Sequence, residues 1–252
     1  MIEMTSTIEE ARISSVPPPL LDESISSLLS LPMPDATELI LVRHGHADYS
    51  AASQDDPWDP ALSPIGREQA ERLAARISSY PCRAIYASPM RRAQETAGVI
   101  ARLTGLPVSR APGLQEVDVR SVFTTEAHGS EPSRQRGELI ARLMRHPTWD
   151  ALPGCEPSWQ FRRRVSRAIK SISAQHQGQQ IVIVTHLGVI NAYLSMILGI
   201  PKDIFFLPDN TSINVVRASG EIYAVRCLND CAHLSSSSNG HHPGTVQNAH
   251  KP

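Results

Sequence analysis

Apolar residues along this chain follow two rhythms. Residues 38–42, ELILV, form a short continuous apolar run, the pattern of a strand buried on both faces. Residues 180–186, QIVIVTH, repeat it more strongly, RAIYAS (83–88) is a second strand, and LPVSRA (106–111) is a weaker third. Between these runs the spacing changes to three and four. Ala70, Leu73, Ala74 and Ile77 predict a helix after LSPIGREQA, with Ser63 as cap and Pro64 in its first turn. Ala93, Ala97, Ile100 and Ala101 predict a second, with Ser88 as cap and Pro89 in the first turn. A helix near 134–146 turns Leu139, Leu143 and Met144 inward, and another over about 158–176 uses Phe161, Val165, Ala168, Ile169 and Ile172. GVINAYLSMIL follows the strongest strand directly and stops at Gly199, ahead of Pro201. SINVVRA and EIYAVRC flank Ser-Gly and read as a closing hairpin.

Alternating strands and helices predict an α/β fold: three layers, α/β/α, on a mostly parallel central sheet of about six strands. Ligands of such sheets sit beyond the carboxyl ends of the strands. Residues 38–234 carry this pattern, with a cap or insert at about 117–160. Residues 1–37 are rich in Ser, Pro and Glu and read as an extension, either disordered or docked through Leu20, Leu21, Leu28 and Leu29. Residues 235–252 are low in complexity and read as a disordered tail.

Composition narrows the function. The 252 residues carry a net charge of −1, which leaves no global basic field for nucleic acid or membrane. Any anion site must then be local. MIEMTSTIEEARISS lacks the apolar core of a secretory signal, and ISSLLSLPM is too short to span a bilayer. The four cysteines lack CxxC spacing, so free thiols in a reducing, cytoplasmic setting are expected.

The chemistry gathers at strand ends. His44 lies just past the first strand, His186 ends the strongest one, and Arg92 opens the helix after the second. Each has a bland alternative: a lone histidine is most often structural, and of Arg91 and Arg92 at most one can face a site, because adjacent helical positions point about 100° apart. Joined at one sheet edge with Arg43, they would make a cationic pocket, and the helix starting near Gly188 would add free N–H groups and a positive dipole end. A phosphoryl dianion requires such a pocket.

The ordered motifs LVRHG (41–45), LSPIGREQA (62–70), SPMRRAQETA (88–97), LQE (114–116), GCEPS (154–158), VTHLGV (184–189), NTSINVV (210–216) and LNDCAHL (228–234) resemble the histidine phosphatase superfamily, the phosphoglycerate-mutase-like or RHG family. The resemblance implies a metal-independent phosphomonoesterase without cofactor. His44 would be the nucleophile that becomes phosphohistidine, Arg43, Arg92 and His186 would hold the phosphoryl oxygens, and Glu116 would be the general acid, with Asp118 as the alternative. Gly45, Ser50 and the Leu187 N–H would complete phosphate binding. The chain departs from the family pattern at His46, at Ser50, at Leu187 and in EVDVRSVFTTEAHG after the acid. His46 and Asp48 would then shape the pocket mouth.

The short interval from Glu116 to His186 resembles the phosphatase branches, since a mutase needs a longer lid to keep water from phosphohistidine. A small phosphorylated metabolite is the expected substrate, with the cap residues Arg120, Arg134, Arg136, Phe123, His128, Trp149 and Trp159 choosing it. A mutase-like phosphotransferase and a weakly catalytic phospho-ligand-binding module stay as alternatives. Reading His44, Glu116 and His186 as metal ligands lacks any His/Cys cluster in support. A homodimer through the N-terminal arm is left open.

Overall fold

The computed structural model describes residue 33 and residues 35–49, 58–120, 122 and 132–235. The chain divides into Met1–Met33 and Pro34–Pro252, and every element below belongs to the second unit. The expectations for the arm, the tail, Ser50, Phe123 and His128 lie outside the described residues, as do the side chains of Arg134 and Arg136.

Six strands form one sheet: β1 (Thr37–Arg43), β2 (Cys82–Ala87), β3 (Val108–Arg110), β4 (Gln180–Thr185), β5 (Ile213–Ser219) and β6 (Ile222–Asp230). Their order is β3-β2-β4-β1-β5-β6. β1, β2, β3 and β4 run parallel, and β5 and β6 close the sheet as an antiparallel hairpin beside β1. This is the α/β/α sheet that the alternating pattern predicts.

Strand alternation feeds two cores. Leu39 and Leu41 of β1, with Ile181 and Ile183 of β4, face α4 (Ser158–Ala174) and α5 (Leu187–Leu198), where Phe161, Val165, Ile169 and Tyr193 meet them. Ile40, Val42, Val182 and Val184 face α1 (Pro64–Ile77) and α2 (Arg91–Thr104), against Leu73, Ile77, Ala97 and Ile100. Each such side chain fully withdrawn from water contributes about 1.5–3 kcal/mol. α3 (Pro132–Arg145) packs through Leu139, but Met144 is 78% exposed and Leu143 only half-buried, so the inward face is narrower than its sequence spacing suggests. Exposed Met144 lies one position beyond the apolar stripe of the helix.

The helix ends follow local chemistry. Ser63 caps α1 by accepting the Gly66 N–H at 3.0 Å, with Pro64 in the first turn. α5 ends at Gly199 in the left-handed conformation, φ 67°. Ser88 is not the cap of α2, which starts at Arg91 after Met90. Its hydroxyl goes to the site instead.

Candidate active site

Register assembles the site before any side chain is placed. β1 and β4 pair in step, ending on Arg43 opposite Thr185. The next residue of each strand is therefore His44 and His186, side by side, and the ladder continues through His44 N–H to Thr185 O at 2.9 Å. Neighbouring strands lie about 4.8 Å apart; the two imidazole centroids are 5.1 Å apart at 61°. On the other side of β4, Ala87 pairs with Val184, so Ser88 falls level with Thr185 and its hydroxyl reaches the neighbouring His186 ring. From the turn just before β5, Thr211 N–H donates to Arg43 O at 2.9 Å and Asn210 Nδ2 donates to His44 O at 2.9 Å.

The His44 ring has a defined tautomer. Nδ1 lies 2.7 Å from Gly45 O, a group that can only accept, so Nδ1 carries the proton. Nε2 keeps its lone pair and accepts from Arg92 Nε at 3.1 Å. Burial first, and then the Arg92 charge, holds this imidazole well below its ordinary value of 6.5. It is neutral and nucleophilic at neutral pH. The Gly45 N–H is taken by Thr96 Oγ1 at 3.1 Å, so it is the carbonyl of Gly45 that serves the site. A side chain at Gly45 would press on Gly66 O at 2.6 Å, which requires glycine there.

His186 is fully buried. Its Nε2 meets Ser88 Oγ at 2.8 Å, and its Nδ1 has no hydrogen-bond partner among the described residues. Burial, followed by His44 and Arg92, keeps it neutral as well. Arg92 is 3% exposed; its Nη1 donates to Trp58 O at 3.2 Å and lies 3.5 Å from Asp59. Arg43 donates to Pro208 O at 2.7 Å, and its buried Nε has no hydrogen-bond partner among the described residues. These orphaned donors beside two neutral imidazoles form a cradle for a tetrahedral anion. Leu187 opens α5, and its N–H is one of the terminal groups no intrahelical carbonyl can take.

Glu116 reaches the cradle from the loop after β3. Its carboxylate accepts from Gly188 N at 3.1 Å and from Val117 N at 3.0 Å. Burial raises its pKa above the ordinary carboxylate value, against those two bonds and the Arg92 and Arg43 charges. A half-buried carboxyl with a raised pKa can deliver a proton. Asp118 differs: it makes a bidentate contact with Arg120, at 2.9 and 2.6 Å, which lowers its pKa. The two carboxylates thus have different surroundings, Glu116 against Gly188 N and Asp118 against Arg120.

A cleft of about 710 Å³ opens over this centre, with Trp58, Arg92, Glu116, Asp118, Arg120 and Gln160 in its wall. Cys155 also lines it, but burial pushes its thiol up to about 12, which removes it as a nucleophile. Of the expected cap residues, Trp149 is buried against Phe161 and Trp159 is 60% exposed. His46 Nδ1 bonds Ser63 Oγ at 2.8 Å at the start of α1. No three His, Cys, Asp or Glu side chains among the described residues group to hold a metal ion. By sequence, Ser88 has a capping role, Gly188 lies at a helix start and Asn210 has no role, so the contacts of all three with the site residues are missed. All three sit inside quoted motifs, yet only strand pairing shows what they touch.

Residues 39–231 match the histidine phosphatase superfamily (branch 1). The chain belongs to this family. It is 30% identical over 207 residues to the metal-independent phosphoserine phosphatase of Arabidopsis thaliana, covering 80% of this chain and 85% of that one. It is also 30% identical over 207 residues to phosphoglycerate mutase-like protein 4 of the same organism, covering 79% and 88%. A mycobacterial glucosyl-3-phosphoglycerate phosphatase solved with VO3 shares the fold with a TM-score of 0.63 at 22% identity, over 76% of this chain and 98% of that one. The expectation of a phosphatase-branch enzyme is borne out, with mutase action as the alternative. Among the described residues no helix is long and apolar enough to cross a membrane.

Proposed function

We propose that this histidine phosphatase hydrolyses small phosphomonoesters through a phosphohistidine on His44. The observation that carries the reading is the neutral His44 ring, its Nδ1 proton held by Gly45 O and its Nε2 lone pair beside Arg92 and His186.

In the first step Nε2 attacks phosphorus and the ester P–O bond breaks. The leaving alkoxide takes the proton of Glu116, while the Nδ1–H bond to Gly45 O disperses the positive charge that develops on the ring. Arg43, Arg92 and His186 hold the three oxygens of the phosphoryl group in flight, and an entering phosphoryl group takes over the Arg92 donor that now rests on Nε2. Ser88 donating to His186 Nε2 leaves the His186 proton on Nδ1, as a donor. In the second step the Glu116 carboxylate takes a proton from water, the hydroxide oxygen attacks phosphorus, and the P–N bond breaks to restore Nε2. Both steps balance without a metal ion.

The cleft supports a leaving group of metabolite size with polar substituents, in line with the phosphoserine and glucosyl-3-phosphoglycerate named for the relatives. Four free cysteines support a reducing compartment, the cytoplasm.

The test is a screen of phosphorylated metabolites, phosphoserine and 3-phosphoglycerate among them, with the phosphoenzyme trapped in alkaline denaturant. Turnover with acid-labile phosphate on the protein, both lost in His44→Ala, is expected. Near-normal turnover in His44→Ala would overturn the reading. Phosphate binding without turnover by the native chain would favour a binding module.

A further inference from the structure

The Glu116 loop converges on one guanidinium. Arg164 of α4 donates through Nη1 to Gly113 O at 3.0 Å and Gln115 O at 2.7 Å, and through Nη2 to Glu116 O at 3.0 Å. Its remaining donors go to Glu156: Nε to Oε1 at 2.7 Å and Nη2 to Oε2 at 2.8 Å. The Phe161 ring lies under the guanidinium, 4.7 Å from its carbon. Glu156 in turn ties the far side of the loop, accepting from Asp118 N at 3.4 Å, while its own N–H donates to Asp118 O at 2.9 Å.

A guanidinium has five N–H donors, and here all five are engaged within the protein. Although Arg164 lines the cleft, it has no donor left for a substrate anion. Its charge is matched by Glu156 and its fork is used on backbone carbonyls. An anchoring arginine in a substrate site would instead leave one edge of the fork open.

We propose that Arg164, braced by Glu156, is a positioning residue: it fixes the backbone from residue 113 to 118 so that the Glu116 carboxyl stands over the leaving-group oxygen. The inference rests on the proposed role of Glu116 as proton donor. Carboxyl placement has a second support in Gly188 N, but that bond holds only if the loop backbone stays where Arg164 keeps it. Lysine is no substitute, because a point charge cannot bridge three carbonyls and a carboxylate at once.

The experiment compares Arg164→Lys, Glu156→Gln and Glu116→Gln with the native chain on two substrates. p-Nitrophenyl phosphate has a leaving group that needs no proton; glycerol phosphate has a neutral alcohol that does. A fold check by thermal melting and inhibition by inorganic phosphate accompany the rates. Arg164→Lys and Glu156→Gln are expected to lose kcat/KM about 10- to 100-fold more on glycerol phosphate than on p-nitrophenyl phosphate, as a partial loss of general-acid catalysis. Phosphate inhibition should stay near native, and the Glu116→Gln/Arg164→Lys double variant should be little worse than Glu116→Gln alone.

Equal losses on both substrates in a folded Arg164→Lys, or none, would overturn the proposal. If Glu116→Gln shows the leaving-group dependence and Arg164→Lys does not, only this inference fails. If Glu116→Gln shows none, the assignment of Glu116 falls and this inference with it.

Discussion

Gly188→Ala isolates the proton donor from the phosphate cradle. A Cβ at Gly188 would land on Glu116 Oε1, 3.2 Å from Glu116 Cδ and 3.3 Å from Trp149 Cζ2. Trp149 is buried and cannot yield, whereas the carboxylate is the movable end of a side chain. The carboxylate therefore swings away and loses its bond to Gly188 N. Loss of a general acid costs about 10²- to 10⁴-fold in rate, or about 3–5 kcal/mol of transition-state stabilisation. Stability changes far less. Alanine gains up to about 1 kcal/mol over glycine in a helix, against about 1.5–3 kcal/mol for the lost bond to a charged group. The measurement is kcat/KM on glycerol phosphate and p-nitrophenyl phosphate, with a melting curve. Collapse on glycerol phosphate, a milder effect on p-nitrophenyl phosphate and accumulation of phosphoenzyme are expected, because Glu116 also activates water. A folded Gly188→Ala with native rates on both substrates would refute the placement of Glu116 over the leaving group.

Asp118→Ala should leave the leaving-group dependence of kcat/KM intact, since Asp118 is held ionised by Arg120; a Glu116-like phenotype would move the acid to Asp118. Ser88→Ala should weaken inhibition by inorganic phosphate by about 10-fold, the scale of one hydrogen bond, and unchanged inhibition would remove Ser88 from the orientation of His186. Stability should depend on pH. His44 and His186 titrate well below 6.5 when folded, so the native chain binds fewer protons than the unfolded one as pH falls below 6.5. Stability is complete above that value and declines below it, by up to about 1.4 kcal/mol per pH unit for each histidine. Glu116, with its raised value, works in the opposite sense below its folded pKa. Denaturant titrations at pH 7.5 and pH 5 on the native chain and on His44→Ala check this; equal slopes in the two would refute it.

Much of this fold is written in local chemistry. Continuous apolar runs with no polar face specify β1 and β4 as strands covered on both sides, and Ser63-Pro64 and Gly199 set helix ends without any tertiary partner. RHG at a strand end, with the other motifs in order, points to His44 as the proposed nucleophile. Ser88 shows the limit of such reasoning: Ser-Pro before a helix carries a capping signal, yet the hydroxyl is drawn to His186 because β2 pairs in register with β4.

What the sequence alone determined is which residue types stand at which strand ends, because periodicity and turn residues act over a few positions. The tertiary structure decided the rest. Strand register brought His44 to 5.1 Å from His186. Burial raised the pKa of Glu116, Arg120 lowered that of Asp118, and the fork of Arg164 ties the loop that carries them. Those outcomes depend on distance and desolvation between segments far apart in the chain, and neither quantity exists until the sheet has formed.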